Sequence, residues 1–116
     1  MLRVVCLCAE WCSACRAWRP VWDAVAARHP QIHWQSMDIE DEPDLMDEVG
    51  LDIETFPTVL IAHGDRALFL SAIPPQPEFL ENLIARLGRE GAAPQGVTPE
   101  AAALALRLFA RGAQRS

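Results

Sequence analysis

Two cysteines, Cys12 and Cys15, stand two residues apart in the stretch AEWCSACR, which runs from Ala9 to Arg16. Such a pair can be a redox-active dithiol, half of a metal site, or two small residues of a core. The first alternative needs a thiolate, because only that form of cysteine attacks a disulfide. The second cysteine then attacks the mixed disulfide and releases the partner.

The predicted elements on either side place this pair at the start of a helix. Leu2–Cys8 is a short apolar run typical of a buried strand. From Ser13 to His29 the apolar residues recur at helical spacing, at Ala14, Ala17, Trp18, Val21, Trp22 and Val25. Pro20 should kink this helix. The positive end of a helix lowers the pKa of a cysteine from about 8.5. We therefore expect Cys12 exposed at the helix tip and Cys15 more covered.

Further elements follow in an alternating order. The pattern predicts a strand at residues 32–37, a short acidic helix from Pro43 to Val49, a hairpin of strands at residues 58–62 and 67–71, and a helix to Leu87 that includes Phe79. The order β-α-β-α-β-β-α implies a parallel βαβ unit with antiparallel strands added to it. The fold class is therefore α/β with a mixed four-stranded sheet.

The C-terminal part predicts a separate helix. Residues 1–88 form the main domain, residues 89–97 are a linker, and residues 98–116 hold a helix that starts with Thr98-Pro99-Glu100. This tail helix is apolar nearly all round. It should pack either against its own domain or against a second chain or partner, including a homodimer.

Composition limits the class of protein. The chain has 116 residues, of which 51% are hydrophobic, and no apolar run reaches the roughly 18–20 residues of a membrane span. The apolar start is too short for a signal peptide, so we expect a cytoplasmic protein. Every charged residue from Asp38 to Glu54 is acidic, which indicates a solvated helix face or a patch for basic partners. No basic cluster favours nucleic acid. The many arginines and alanines are typical of a bacterial protein.

Residues 2–88 resemble the thioredoxin family. The matching features are Trp11-Cys12-x-x-Cys15-Arg16, Pro20 five residues after the second cysteine, and Phe56-Pro57-Thr58. The resemblance implies a thioredoxin-like fold and a cis bond between Phe56 and Pro57, facing the cysteines. It also implies a thiol–disulfide oxidoreductase in which Cys12 attacks and Cys15 resolves.

The same resemblance implies the substrates and partners. Trp11, Phe56 and Pro57 would contact a substrate chain, and the partners would be protein disulfides and a reductase or small thiol that donates electrons. No cofactor is implied. The spacer Ser13-Ala14 departs from the family's usual Gly-Pro and leaves the redox potential open. The segment between Gly50 and Pro57 is also longer than usual.

The other cysteines depart from the family as well. Cys6 stands where the family has a buried aspartate, and Cys8 where it has an aromatic residue. We expect both to be small core residues of the strand. A thiol is a weaker proton acceptor than a carboxylate near neutral pH, so deprotonation of Cys15 would need another route, through water or Glu10.

Two other classes of protein stay open at this point. One is a thioredoxin-like binding or assembly module whose redox pair is incidental and which presents the acidic patch and the tail helix. The other is a metal-binding protein that uses all four cysteines, although C-x-C followed by C-x-x-C is not a standard zinc spacing. We expect no metal and assign no role to His29, His33 or His63.

Overall fold

The computed structural model describes residues 2–8, 13–41, 43–50, 58–74, 76–88 and 97–110. These residues form four strands and four helices close to the predicted positions. In chain order the elements are β1 (Leu2–Cys8), α1 (Ser13–Arg28), β2 (His33–Asp38), a 3-10 turn (Ile39–Asp41), α2 (Pro43–Val49), β3 (Thr58–His63), β4 (Arg66–Ala72), α3 (Pro77–Leu87) and α4 (Pro99–Ala105), which continues into a π-helical turn (Leu106–Ala110).

The four strands form one mixed sheet in the order β2-β1-β3-β4. β1 pairs in parallel with β2 and antiparallel with β3, and β3 pairs antiparallel with β4. A parallel pair requires a crossover, which α1 provides. This confirms the predicted α/β class and its mixed sheet.

One face of the sheet is covered by α1 and α3. The buried face of α1 carries Cys15, Trp18, Trp22 and Val25, and that of α3 carries Leu80, Leu83, Ile84 and Leu87. Two apolar residues of the predicted helical patterns lie outside the buried faces, since Ala17 is exposed and Phe79 is 38% exposed. Ala17 comes directly before Trp18, which turns it about 100° away from the buried stripe. α1 runs through Pro20 without ending there.

The other face of the sheet is covered by the tail. Leu104, Ala105 and Phe109 pack against apolar side chains of the central strands, among them Val5, Leu7 and Leu60. The Arg3 guanidinium lies 4.9 Å from the centre of the Phe109 ring, a cation–π contact between β1 and the tail. Arg107 forms a salt bridge with Glu48 of α2. The tail helix therefore packs on its own domain, one of the two predicted alternatives.

Turns and helix ends follow the local sequence. Gly50 ends α2 with φ +73°, and Gly64 forms the β3–β4 turn with φ +63°, a backbone conformation that glycine adopts at little cost. The Thr98 hydroxyl accepts a hydrogen bond from the Ala101 backbone N–H at 3.2 Å and caps α4. Residues 89–96 of the predicted linker lie outside the described residues. None of the helices in the described ranges has the length and apolar character of a membrane span.

Candidate functional site

Cys15 lies in the first turn of α1 with its side chain 6% exposed. Ser13, the first residue of the helix, is exposed. The prediction that Cys15 is covered at the start of the helix is thus confirmed. Its predicted partner Cys12, with Trp11 and Glu10, precedes Ser13 and lies outside the described residues.

Strand pairing holds the end of β1, which precedes this helix, beside the start of β3. Leu7 of β1 pairs with Thr58 of β3, and Thr58 is 5% exposed. The segment that carries Cys12 therefore leaves the sheet at the same end where the segment carrying Phe56 and Pro57 enters it. Phe56, Pro57 and the bond between them lie outside the described residues, so the predicted cis bond stays a prediction.

Cys6 and Cys8 lie two residues apart in β1, on the face of the sheet that α1 covers. Their Sγ atoms are 3.2 Å apart, close enough for one thiol to donate a hydrogen bond to the other. Cys6 is 3% exposed and belongs to the core, as predicted. Cys8 is only half-buried, because it stands at the open end of the strand. The sequence predicted neither this contact nor the partial exposure of Cys8.

A cavity of about 530 Å³ opens between α1 and the carboxyl ends of β1 and β2. Cys8 and Cys15 both line it, so two thiols from different elements border one space. Four charged side chains also line this cavity, namely Arg16 and Arg19 of α1 together with Asp38 and Asp41. The cavity lies where Cys8 replaces a residue that the family resemblance gives as aromatic. A small side chain there leaves space that a ring would fill.

Part of the lining of this cavity follows from local patterns in the sequence. Arg16 and Arg19 are three residues apart and so share a face of α1, and Asp38 ends a strand parallel to β1. The sequence did not predict that Cys8 would line the same cavity as these charged side chains.

The structure gives His29 a structural partner. Its Nε2 contacts Glu81 Oε1 on α3, and Arg28 Nη2 lies 3.5 Å from Glu81 Oε2. The Trp34 indole N–H donates to the His29 carbonyl oxygen at 2.9 Å. These contacts tie α1, α3 and β2 at the end of the sheet opposite Cys15. His29 thus acts in packing, a role that the sequence did not suggest.

Beyond Asp38, which is half-buried, the acidic segment is solvated where it is described. Glu40, Asp41, Asp44, Asp47 and Glu48 are exposed. The hydrogen bond from Arg107 to Glu48 raises the pKa of that guanidinium. Among the described residues, no three His, Cys, Asp or Glu side chains are placed to hold a metal ion.

Comparison with known proteins adds to this geometry. The sequence model of the family described as Thioredoxin matches residues 1–83. The Streptomyces coelicolor protein described as "Putative thioredoxin 2" is 33% identical over 61 residues, which are 53% of this chain and 44% of that protein. The chain thus matches less than half the length of that curated relative.

Solved structures show the same fold. The germline-specific thioredoxin Deadhead of Drosophila melanogaster superposes with a TM-score of 0.64 at 21% identity, covering 74% of this chain and 80% of that one. Mitochondrial thioredoxin 3 of Saccharomyces cerevisiae gives 0.62 at 21% identity, covering 72% and 76%. At this identity the structures support the fold alone, whereas the family model covers well over half of the chain. The chain belongs to the thioredoxin family.

Proposed function

We propose that the protein is a thiol–disulfide oxidoreductase that acts through Cys12 and Cys15. Membership of the thioredoxin family suggests this activity in general. The observation that supports assigning this activity to Cys12 and Cys15 is the position of Cys15. This residue is buried in the first turn of the helix that follows the central strand. A buried thiol one helical turn from its partner suits the resolving role, because substrates reach the other thiol first.

The two cysteines have separate roles in the proposed reaction. The Cys12 thiolate attacks one sulfur of a substrate disulfide, and the other substrate sulfur leaves as a thiol. The thiolate of Cys15 then attacks the Cys12 sulfur, which forms the Cys12–Cys15 disulfide and releases the second substrate thiol. Two electrons pass from the protein to the substrate. A reductase or a small thiol returns them.

The surroundings of the pair would bind the substrate chain. Trp11 offers apolar contact, and Phe56 and Pro57 form the wall along which an extended peptide lies. Thr58 supports this proposal, since it fixes the end of β3 beside β1. We place the protein in the cytoplasm, where reducing conditions keep such thiols reduced.

Proton transfer to and from Cys15 is the least efficient step of the proposed mechanism. Cys6 occupies the position of the family's carboxylate, is 3% exposed and contacts Cys8. A thiol accepts protons poorly near neutral pH. The proton of Cys15 would therefore leave through water or Glu10, with Cys6 contributing little.

Reduction of insulin by dithiothreitol tests the proposal. The protein should accelerate the precipitation of insulin chains, and Cys12→Ser should abolish the acceleration. Cys15→Ser should instead trap a mixed disulfide at Cys12, detectable by mass spectrometry. Full activity of folded Cys12→Ser would contradict the assignment of the attacking thiolate.

The binding or assembly module has less support. That alternative relied on the acidic patch and on a tail helix that presents its apolar surface to a partner. Leu104, Ala105 and Phe109 are instead buried on the protein's own sheet.

A further inference from the structure

Cys6 and Cys8 form a second pair of thiols, on β1. Neither forms a disulfide in this structure, and their Sγ atoms are 3.2 Å apart. We propose that Cys6 and Cys8 are a second redox-active dithiol, oxidised by a small disulfide of the amino-acid or short-peptide type that enters the cavity between α1 and the ends of β1 and β2. This inference does not depend on the activity of Cys12 and Cys15.

The two thiols differ in burial, and this difference gives them different roles. Cys8 is half-buried and lines the cavity, whereas Cys6 is 3% exposed and lies in the core. A small disulfide can therefore reach Cys8 but not Cys6. A redox dithiol needs this combination, with one thiol that meets the substrate and one that resolves the mixed disulfide from within.

The cavity suits a small ligand with charges of both signs. Its volume of about 530 Å³ is in the usual range for small-molecule sites. Arg16 and Arg19 are exposed on one side and can bind carboxylates, while Asp38 and Asp41 on the other side can bind an ammonium group. Disulfides of amino acids and short peptides carry both groups beside the reactive sulfurs.

The reaction is two exchanges. The Cys8 thiolate attacks one sulfur of the small disulfide, forming a mixed disulfide and expelling one small thiol, which takes the proton that Cys8 lost. Cys6 then attacks the Cys8 sulfur, which forms the Cys6–Cys8 disulfide and expels the second small thiol with the proton of Cys6. The dithiol loses two electrons, and the small disulfide gains them.

The spacing in the strand makes the product reversible. Residues two apart in a strand have Cα atoms about 6.6 Å apart. This is close to the upper limit of about 6.8 Å for a disulfide. Geometry at the edge of the allowed range makes a disulfide easier to reduce, so the pair would exchange electrons instead of acting as a permanent cross-link.

Oxidised glutathione is the probe that tests the proposal. In the full chain carrying Cys12→Ser and Cys15→Ser, only Cys6 and Cys8 can react. Trypsin releases both in one peptide, Val4–Arg16. After incubation with oxidised glutathione and alkylation of remaining thiols, this peptide should be lighter than the reduced peptide by two hydrogens and should carry neither label nor glutathione.

Single substitutions in the same background separate the two roles. Cys6→Ser should leave a stable glutathione adduct on Cys8, because nothing resolves it. Cys8→Ser should leave Cys6 unmodified while the protein is folded. If Cys6 and Cys8 both stay thiols, or if the adduct on Cys8 persists with Cys6 present, the proposal is wrong.

The unsubstituted chain gives a second readout that does not depend on the folding of these variants. Excess oxidised glutathione should remove four thiols and yield Cys6–Cys8 and Cys12–Cys15. A Cys8–Cys15 disulfide would overturn the proposed pairing. If only the Cys12–Cys15 disulfide forms, the second dithiol is refuted and the proposed function stays intact, whereas formation of the Cys6–Cys8 disulfide alone would do the reverse.

Arginine variants test the entry of a charged ligand. Arg16→Gln with Arg19→Gln should slow the reaction of Cys8 with oxidised glutathione several-fold and leave its reaction with uncharged hydroxyethyl disulfide unchanged. Arg86→Gln, an exposed arginine of α3 away from the cavity, is the matched control. Equal slowing with both disulfides would show that the arginines do not recognise the ligand's carboxylates.

Discussion

Cys12 comes directly before Ser13, the first residue of α1. The unpaired N–H groups and the positive end of a helix stabilise a thiolate at that place. We predict that Cys12 titrates clearly below the free cysteine pKa of about 8.5. The rate of iodoacetamide alkylation against pH, followed at Cys12 by tandem mass spectrometry, measures it. A midpoint at or above the free value would remove this electrostatic effect from the mechanism.

A carboxylate at position 6 should change the second step of the reaction. We predict that release of the mixed disulfide from Cys12 is slow in the natural chain and becomes faster as pH rises from about 6 to 9, because the thiol of Cys6 stands where the family has a carboxylate and accepts the proton of Cys15 poorly near neutral pH. Cys6→Asp should speed this step at neutral pH by supplying a base. The same substitution should lower stability, since a buried carboxylate loses its hydration.

This prediction is tested by the single-turnover rate of the second step, measured from about pH 6 to 9 for the natural chain and for Cys6→Asp. Cys6→Ser is the matched control, because it keeps a small polar side chain without supplying a base. Indistinguishable pH profiles for Cys6→Asp and the natural chain would mean that position 6 takes no part in proton transfer.

At the scale of single residues, the sequence predicted burial better than contacts. The burial of Cys6, Cys15, Trp18 and Trp22 follows from local patterns, because strand alternation and helical spacing fix which way a side chain points. The contact between His29 and Glu81 joins residues 52 positions apart. Such a contact depends on how α1 and α3 lie against each other, which no local pattern encodes.

The tail helix shows what decides stability at the scale of an element. Leu104 is fully buried against the sheet, whereas Leu106, two residues later, is 50% exposed. Leu104→Ala should lower the free energy of unfolding by about 2–5 kcal/mol, because it leaves a cavity in the core. Leu106→Ala, the matched control on the same helix, should change it by no more than about 0.5 kcal/mol. Urea unfolding of both variants measures the difference; equal effects would contradict the observed packing.

The boundaries of the elements were predictable and the widths of their buried faces less so. Pro43, Gly50, Gly64 and Thr98 mark turns or helix ends for reasons of local backbone chemistry, and the structure has those ends. Ala17 and Phe79 belong to the apolar patterns that predicted α1 and α3, but both are exposed. An apolar residue at the edge of a stripe is buried only if a neighbouring element reaches it.

At the scale of the whole molecule, the sheet has two apolar faces and needs a helical layer on each. α1 and α3 cover the face that holds Cys6, and the tail with part of α2 covers the other. The Arg3–Phe109 contact and the Glu48–Arg107 pair add to that second layer. The pair is largely exposed and so contributes little to stability. Apolar burial by the tail is the larger contribution.

Removal of the tail should therefore destabilise the domain. A chain that ends at Gly88 should lose several kcal/mol of stability, since full burial of Leu104 and Phe109 alone contributes roughly 3–6 kcal/mol. A domain of this size has a total of about 5–15 kcal/mol. Val5, Leu7 and Leu60 would lose their cover, so the truncated chain should also bind a fluorescent apolar dye and tend to associate.

Thermal unfolding and light scattering separate the roles of this tail. A chain that ends at Ala110 keeps the packed helix and is the control. If the tail covers its own sheet, the control should be a monomer with nearly the full melting temperature, and only the Gly88 chain should melt early. If the tail instead joins two chains in a homodimer, the full chain should scatter as a dimer and the Gly88 chain as a monomer. A Gly88 chain that melts like the control and scatters as a monomer would show that the second face needs no cover, against the packing of Leu104 and Phe109.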